Sequence, residues 1–301
     1  MIATSTATAA GRIDAHLHLW DLELGDYAWL GPQHGTLFAT FTAEAAHAEL
    51  AHAGFDSAVL VQAEDSTRDT EFLLHTAARH PWVTGVVGWV PLDDPAAAER
   101  QLDLWSENSV LCGIRHLVHN DPRDGFLALP AVRRCLALVA QRGLAFDVPD
   151  AWPRHLDAVA ALAGGLPELT VVVDHLGKPP RGQAGYPQWR EALARAAAHD
   201  NTVAKLSGLR MPETDYSVSA LRPTWDTALE LFGPSRLMYG GDWPMSVPDG
   251  GYEPTWQVLA ELIGELSPHE QTAVLAGTAR SAYHLPKDQT AERDRPVTPG
   301  G

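Results

Sequence analysis

The sequence predicts an α/β protein whose single domain is a (β/α)8 barrel, and three observations support this. Eight short apolar runs rich in β-branched residues follow one another along the chain, which is the pattern of buried parallel strands. A longer stretch with helical character follows each run. The runs begin roughly 25 to 45 residues apart, a spacing that fits the eight strand–helix units of a TIM barrel.

The apolar runs are the predicted strands, in chain order. They span residues 13–18, 58–63, 83–90, 112–117, 144–148, 169–174, 201–207 and 236–242. The clearest helices between them are predicted at 42–54, 130–143 and 187–199. Thr42 begins the first helix and Gly54 follows its last turn, while Pro130 begins the second. These are the residue types that helix ends favour.

A doubly wound open sheet is the alternative architecture. Such a sheet normally carries a glycine-rich turn after its first strand, where a phosphate binds. Here the corresponding turn is His18-Leu-Trp-Asp21, and it contains no glycine. The first turn therefore favours the barrel.

Composition excludes several classes of protein. The chain has 301 residues, a formal net charge of −16 and two cysteines. The negative charge disfavours nucleic acids and anionic membranes as partners. Two cysteines are too few for a disulfide scaffold and suit a reducing cytoplasm. No apolar run is long enough to cross a bilayer, so we expect a cytoplasmic protein with a small-molecule substrate. The oligomeric state has no clear signal.

The two ends are predicted to be flexible. Residues 1–11 are small and polar and lack the features of a signal peptide. Residues 286–301 are polar and contain proline and glycine. The predicted barrel domain is therefore 12–285.

Polar side chains mark the ends of the predicted strands, where a barrel of this kind places its active site. In strand order they are His16 and His18, Gln62, Trp89, Arg115 and His116, Asp147, His175, Lys205 and Asp242. Core packing alone does not explain polar groups at so many strand ends. These residues are the first candidates for chemistry.

The first strand carries two histidines at a spacing of two residues. On a regular strand, His16, His18 and Asp14 share one face. Two neutral imidazoles in this arrangement can chelate a divalent ion or form hydrogen bonds with one polar atom of a ligand. Paired histidines that hydrogen-bond within a core remain the structural alternative.

The sixth and eighth strands end in His175 and Asp242. His175 follows three valines and precedes a turn of glycine, lysine and prolines, which suggests an exposed loop. Asp174 and His175 should face opposite ways if that strand stays regular. Asp242 follows two glycines and should face the barrel mouth. A helix N-cap is its structural alternative.

The other candidates are less specific. Arg115 and His116 can polarise a carbonyl or hold a carboxylate, but Arg115 can equally form an ion pair with Asp147 or another acid of the barrel. Lys205 has the same two interpretations. Pocket walls are predicted from one glutamine and three tryptophans at or after strand ends: Gln62, Trp20, Trp89 and Trp243.

Eight ordered motifs resemble the amidohydrolase superfamily, in the branch called amidohydrolase 2. They are IDAHLHLWD, YAWL, GVVGWVPL, GIRH, FDV, DHLGKP, KLSGL and GGDWP. The likeness extends over nearly the whole barrel and is greatest to sugar-acid lactonases of the L-fuconolactonase and L-rhamnonolactonase kind. It implies a (β/α)8 hydrolase but does not specify one substrate.

The resemblance also implies site residues. His16, His18, His175 and Asp242 match the family's metal-binding positions, and Arg115 and His116 match its GIRH motif. Many superfamily members bridge two metals with a carbamylated lysine at the fourth or fifth strand. Here those strands end in Arg115-His116 and Asp147, so a two-metal site is not expected. The resemblance leaves the metal open between one divalent ion, zinc or manganese, and catalysis without a metal.

Lactone hydrolysis is the predicted reaction. Asp242 would act as general base and then return the proton to the ring oxygen. The histidines would bind the ion or, together with Arg115 or His116, stabilise the oxyanion. Gln62, Trp89, Trp20, Lys205 and Trp243 would contact the substrate. The alternatives are a metal-dependent decarboxylase of an aromatic or unsaturated acid and a non-catalytic barrel that binds a sugar acid.

Overall fold

Eight parallel strands form one sheet whose order follows the chain, which confirms the predicted barrel. The computed structural model describes residues 11–123, 125–211 and 214–286. Strands β1 to β8 span Ile13–Leu17, Ser57–Val61, Val83–Gly88, Leu111–Arg115, Ala145–Val148, Val171–Val173, Thr202–Leu206 and Leu237–Tyr239. Each lies at one of the eight predicted positions. Apart from Gly11 and Pro286, the predicted flexible ends 1–11 and 286–301 lie outside the described residues.

The sheet closes between its first and last strands. Leu17 forms a parallel bridge with Trp243, and the backbone N–H of His18 donates to the Trp243 carbonyl at 2.8 Å. The N–H of Asp242 donates to the His16 carbonyl at the same distance, 2.8 Å. The open-sheet alternative is therefore wrong, because the backbone of β1 continues the hydrogen bonding of the segment that follows β8.

Helices surround the sheet. Helices α1 to α8 span Ala43–Ala53, Thr67–Arg79, Pro95–Leu104, Pro130–Gln141, Leu156–Gly165, Tyr186–Ala197, Val218–Phe232 and Tyr252–Gly264. Two further short helices, α9 at Pro268–Thr272 and α10 at Thr278–Ala282, flank a π-helical turn at Ala273–Gly277. The caps predicted for α1 are confirmed: the Thr42 hydroxyl accepts from the Ala45 N–H at 3.3 Å, and Gly54 is left-handed with φ of 76°.

Two of the three apolar clusters among the described residues include side chains of the barrel strands. The larger lies between the strands and the surrounding helices. The smaller fills the floor of the barrel with inward-facing residues such as Ile13, Val59 and Met238. The segment that contains α10 closes this floor from below, because Tyr283 and Leu285 belong to the same cluster. Among the described residues, this cluster closes the floor of the barrel.

No helix within the described ranges has both the length and the apolar character that a bilayer span requires.

Candidate active site

A cavity of about 270 Å³ lies at the carboxyl ends of the strands. Five residues with predicted roles line it, namely His18, Trp20, Arg115, His175 and Asp242. His16 lies directly beneath, fully buried, with its Nε2 atom 3.7 Å from the Asp242 carboxylate. Side chains from four different strand ends therefore meet around one space.

A β-bulge in β1 aims the two histidines at this space. The pairing of β1 with β2 shifts register between Asp14 and Leu17. Ala15 belongs to the cluster inside the barrel, yet the adjacent His16 also points inward, to Lys205. A bulge permits this because it interrupts the alternation of side chains.

The same bulge overturns the expectation that Asp14 shares the face of the histidines. Its carboxylate accepts hydrogen bonds from the Gly241 N–H at 2.9 Å and from the Tyr252 hydroxyl at 2.7 Å. Burial raises the pKa of Asp14 to about 6, and these hydrogen bonds act in the opposite direction. Asp14 therefore fixes the backbone after β8 instead of facing the cavity.

The imidazoles of His16 and His18 are in direct contact. Their Nε2 atoms lie 3.1 Å apart, and the rings meet edge to face with centroids 4.8 Å apart. The Nδ1 atom of His18 lies 2.8 Å from the Val61 carbonyl. A carbonyl oxygen only accepts, so His18 Nδ1 carries a proton and the neutral ring presents a bare Nε2 atom to the cavity. Burial lowers the pKa of both histidines, which favours the neutral rings.

Asp242 is held in a left-handed backbone conformation, with φ of 52°. Its Oδ1 atom lies 3.5 Å from His18 Nε2 and 3.7 Å from His16 Nε2. Burial alone would raise its pKa, but the neighbouring imidazoles, His175 first among them, hold the pKa well below its usual range. The N-cap alternative is wrong, because the next helix of regular length, α8, begins only at Tyr252.

His175 lies in a short 3-10 turn, Asp174–Gly177, that follows β6 directly. The φ angles of His175 and Leu176 are 56° and 53°, so the chain leaves the strand conformation at once. As a result Asp174 and His175 both point into the barrel. His175 Nδ1 lies 2.8 Å from the Ser207 hydroxyl, and its ring centroid is 4.6 Å from that of His16.

Gly208 allows His175 and Asp242 to approach each other. It has φ of 53°, and a Cβ atom at this position would lie 2.4 Å from His175 Nδ1 and 2.7 Å from Asp242 Oδ2. No side chain fits there, so the site requires glycine. The predicted motif KLSGL contains this residue, but its role depends on contacts that only the fold reveals.

Arg115 ends β4 and is 4% exposed. Its Nη1 atom lies 3.3 Å from the Asp174 carboxylate and 3.4 Å from His16 Nε2, and its Nη2 atom donates to the Gln62 carbonyl. Arg115 therefore pairs with a barrel acid and also lines the cavity, and its contact with a substrate carbonyl or carboxylate stays a prediction. The acid is Asp174 and not Asp147.

Five other residues with predicted roles do not line the cavity, which corrects their expected contact with substrate or reacting atoms: His116, Gln62, Trp89, Lys205 and Trp243. His116 stacks on Phe126 with ring centroids 4.3 Å apart and accepts from the Trp89 indole N–H at 3.1 Å. The predicted catalytic contact of His116 thus becomes a structural one beside the site.

Gln62, Trp243 and Lys205 form their contacts outside the cavity. The Gln62 amide donates to Asp65 at 3.0 Å, and the Trp243 ring packs against Phe41 with centroids 5.2 Å apart. Lys205 has no exposed surface and is enclosed by Asp147, Asp174 and His16.

The cavity wall also contains residues that are not among the predicted site residues. They are Trp29, His34, His119, Asn120, Asp150 and Lys178. All lie in the segments that connect a strand to the next long helix, where strand periodicity gives no signal. Asp150 comes two residues after the end of β5, so extending the search past each strand end would have found it.

The donor set fits a divalent ion in type and spacing. Ligand atoms of His16, His175 and Asp242 all lie within 4.8 Å of one another, and the adjacent His18 adds a bare nitrogen. Neutral imidazoles with a carboxylate are common ligands of zinc. Two positive groups, Arg115 and Lys205, also lie against His16, and their charges oppose that of a bound cation.

Comparison with known proteins gives consistent matches. Residues 13–285 match a family model described as amidohydrolase. The L-fucono-1,5-lactonase of Burkholderia ambifaria is 32% identical over 291 residues, which are 93% of this chain and 99% of that protein. The crystal structure of an amidohydrolase from Burkholderia multivorans with bound zinc is 32% identical, with a TM-score of 0.83 over 92% of this chain and 100% of that chain. Its structure with bound HEPES gives 31% identity and a TM-score of 0.84 over the same shares, 92% and 100%.

Proposed function

This chain belongs to the amidohydrolase family, and we propose that it hydrolyses a lactone, with a neutral sugar-acid lactone as the substrate class. The observation that carries the proposal is a buried carboxylate, Asp242, at the floor of an open cavity and within 3.7 Å of two imidazoles. The name of the Burkholderia ambifaria relative supports a lactone as the acyl substrate.

Asp242 is the proton carrier of the proposed reaction. Its low pKa keeps it ionised at neutral pH, so it can accept a proton from water as the water oxygen attacks the lactone carbonyl carbon. When the bond between that carbon and the ring oxygen breaks, the same proton passes from Asp242 to the ring oxygen. The product is an open-chain hydroxy acid.

Arg115 stabilises the negative charge that develops on the carbonyl oxygen. The Arg115 guanidinium is permanently charged and faces the cavity. Donors fixed in a buried site lower the barrier because they need no reorganisation during the reaction. The ion pair with Asp174 keeps the guanidinium in place.

Where a divalent ion binds, zinc or manganese, His16, His175 and Asp242 would hold it. Such an ion would supply a Lewis acid for the carbonyl oxygen and acidify the attacking water. The roles proposed for Asp242 and Arg115 do not require the ion.

The cavity wall favours a neutral polyol over an anion. Trp29 provides an aromatic surface, and Asn120 offers both donors and acceptors. Lys178 faces Asp150, with Nζ and Oδ1 3.9 Å apart, so its charge is balanced. The hydroxyl groups of a sugar ring can form hydrogen bonds with these donors and acceptors. A negatively charged group on the substrate would find little uncompensated positive charge in this wall.

A panel of lactones tests this function. Proton release is measured for L-fucono-1,5-lactone, other aldonolactones and a muconolactone, with and without a chelator, and carbon dioxide is measured with aromatic acids. Release of acid from a sugar lactone without gas supports the proposal. Carbon dioxide release would identify a decarboxylase, and ligand binding without turnover would identify a binding barrel.

A further inference from the structure

A column of polar side chains runs from the floor of the barrel to the site. Lys205 Nζ lies 2.6 Å from Asp147 Oδ2, 3.0 Å from Asp174 Oδ1 and 3.0 Å from His16 Nδ1. The Tyr283 hydroxyl, from the segment that closes the floor, donates to the same Asp147 oxygen at 2.7 Å. None of these five side chains is more than 2% exposed, so water does not compete for the contacts.

The contact with Lys205 determines which nitrogen of His16 carries the proton. An ammonium group has only donors, and it cannot face a second N–H at 3.0 Å. The Nδ1 atom of His16 must therefore accept, and the neutral ring carries its proton on Nε2.

A second contact gives the same assignment independently. The Nε2 atom of His18 is bare, because its Nδ1 atom bonds to the Val61 carbonyl at 2.8 Å. It lies 3.1 Å from His16 Nε2, where a proton on His16 completes a hydrogen bond. The contacts that would favour the other tautomer, Asp174 at Nδ1 and Arg115 at Nε2, are both longer at 3.4 Å.

We propose that Lys205 is a positioning residue that fixes His16 as an Nε2–H donor to His18 and thereby opposes capture of a metal ion by His16. The proposal rests on the proposed function for its catalytic part, in which this hydrogen bond holds the His18 imidazole in place at the cavity wall. Lys205 itself touches no substrate. A metal ion needs the lone pair that the proton occupies, so ligation by His16 requires the tautomer that Lys205 disfavours.

A charge-matched double variant provides the test. Lys205→Met alone would leave two buried carboxylates against one fewer cation, so it is combined with Asp147→Asn. Asp174 keeps its ion pair with Arg115 and becomes the only charged neighbour of His16 Nδ1. Tyr283→Phe is the control, because it removes a hydrogen bond from the same column without altering the contact between Lys205 and His16.

Histidine ¹⁵N NMR reports the tautomer directly, with His16 assigned by its loss in His16→Gln. We expect a protonated Nε2 in the wild type and in Tyr283→Phe, and a protonated Nδ1 in the double variant. A wild-type His16 protonated on Nδ1 overturns the proposal. So does an unchanged tautomer in a double variant that circular dichroism shows to be folded.

Activity and Zn²⁺ affinity give two further readouts. With a chelator present, kcat of the double variant should fall about 100-fold, because His18 loses the hydrogen bond that positions it, while KM changes little. Without the chelator, Zn²⁺ should bind at least about 10-fold more tightly to the double variant. Tyr283→Phe should keep the wild-type kcat within a small factor. Equal Zn²⁺ affinity in the wild type and the double variant counts against the proposal. If no lactone is hydrolysed by the wild type, the proposed function fails, while the NMR result still decides the role of Lys205.

Discussion

At the scale of single residues, the role proposed for Asp242 depends on the groups that surround its carboxylate. The chain holds many aspartates on its surface, but this one is buried among three imidazoles and keeps a depressed pKa. Its left-handed backbone, with φ of 52°, turns the carboxylate toward the histidines. Such a conformation costs free energy, which is typical of residues in functional sites.

Asp242→Asn should lower kcat by about three decades, because the amide cannot accept the proton of the attacking water. The near-identical shape should leave the fold intact, as judged by circular dichroism. Asp249→Asn, in the exposed part of the same loop, is the matched control and should behave like the wild type. Turnover of Asp242→Asn near the wild-type rate would exclude it as the base.

Asp69 is another buried carboxylate, but its pKa is raised, whereas the pKa of Asp242 is lowered. It accepts from the Tyr27 hydroxyl at 3.1 Å and from the Ala63 N–H at 2.9 Å. Burial outweighs these hydrogen bonds and raises its pKa to about 7. The folded protein therefore takes up a proton at Asp69 at a pH where the unfolded chain has already released it.

A raised acid pKa lowers stability as pH rises from the unfolded value near 4 to the folded value near 7. Between pH 5 and pH 8 this group should cost about 2 to 3 kcal/mol of unfolding free energy. The amide in Asp69→Asn does not titrate. The free energy of unfolding of this variant, relative to that of the wild type, should therefore rise by about 2 to 3 kcal/mol between pH 5 and pH 8. Urea unfolding at the two pH values measures the difference. A difference that does not change with pH would contradict the assignment.

At the scale of elements, the site depends on departures from regular strands. The bulge in β1 turns His16 inward, and the tight turn after β6 does the same for His175. Both departures bring side chains to the barrel axis that a regular strand would aim elsewhere. The loops that connect strands to helices then complete the cavity wall.

Gly208→Ala should reduce kcat at least about 100-fold, because the added methyl would displace His175 or Asp242 from its place. Gly143→Ala is the control. It has a similar φ of 68° and open space around it, so it carries the backbone strain without the clash. Steady-state kinetics of both variants separate the two effects. Equal activity in the two would show that the methyl is accommodated.

At the scale of the whole molecule, the carboxyl-terminal segment is part of the barrel. Ala276, Ala279, Tyr283 and Leu285 pack against the inward-facing residues of the strands. They shield the floor from water, and Tyr283 also supports the buried acid Asp147. The site at the carboxyl end of the barrel thus depends on a segment that packs against the opposite end.

Truncation after Thr272 should abolish cooperative unfolding, because it exposes the apolar floor and leaves buried charges open to water. Truncation after Pro286 keeps this whole segment and should preserve cooperative unfolding. Thermal unfolding and binding of a hydrophobic dye compare the two. A cooperative melt in the shorter chain would show that the floor does not need this segment.

Much of the fold could be predicted from the sequence because it depends on local patterns. Apolar runs of strand length alternate with amphipathic stretches, and caps such as Thr42 and Gly54 mark where helices start and stop. The same regularity indicated the ends of strands, and so pointed to His18, Arg115, His175 and Asp242, which line one cavity.

Only the tertiary structure determined where each polar side chain points and which groups it contacts. Asp14 turned away because a bulge changed the alternation, and His116 stacked outside the cavity. Lys205 met its partners from three other strands or loops, at separations of tens of residues in the chain. The physical reason is that hydrophobic periodicity reports only whether a side chain is buried. The proton on a buried imidazole depends on neighbours that only the closed barrel brings within hydrogen-bonding distance.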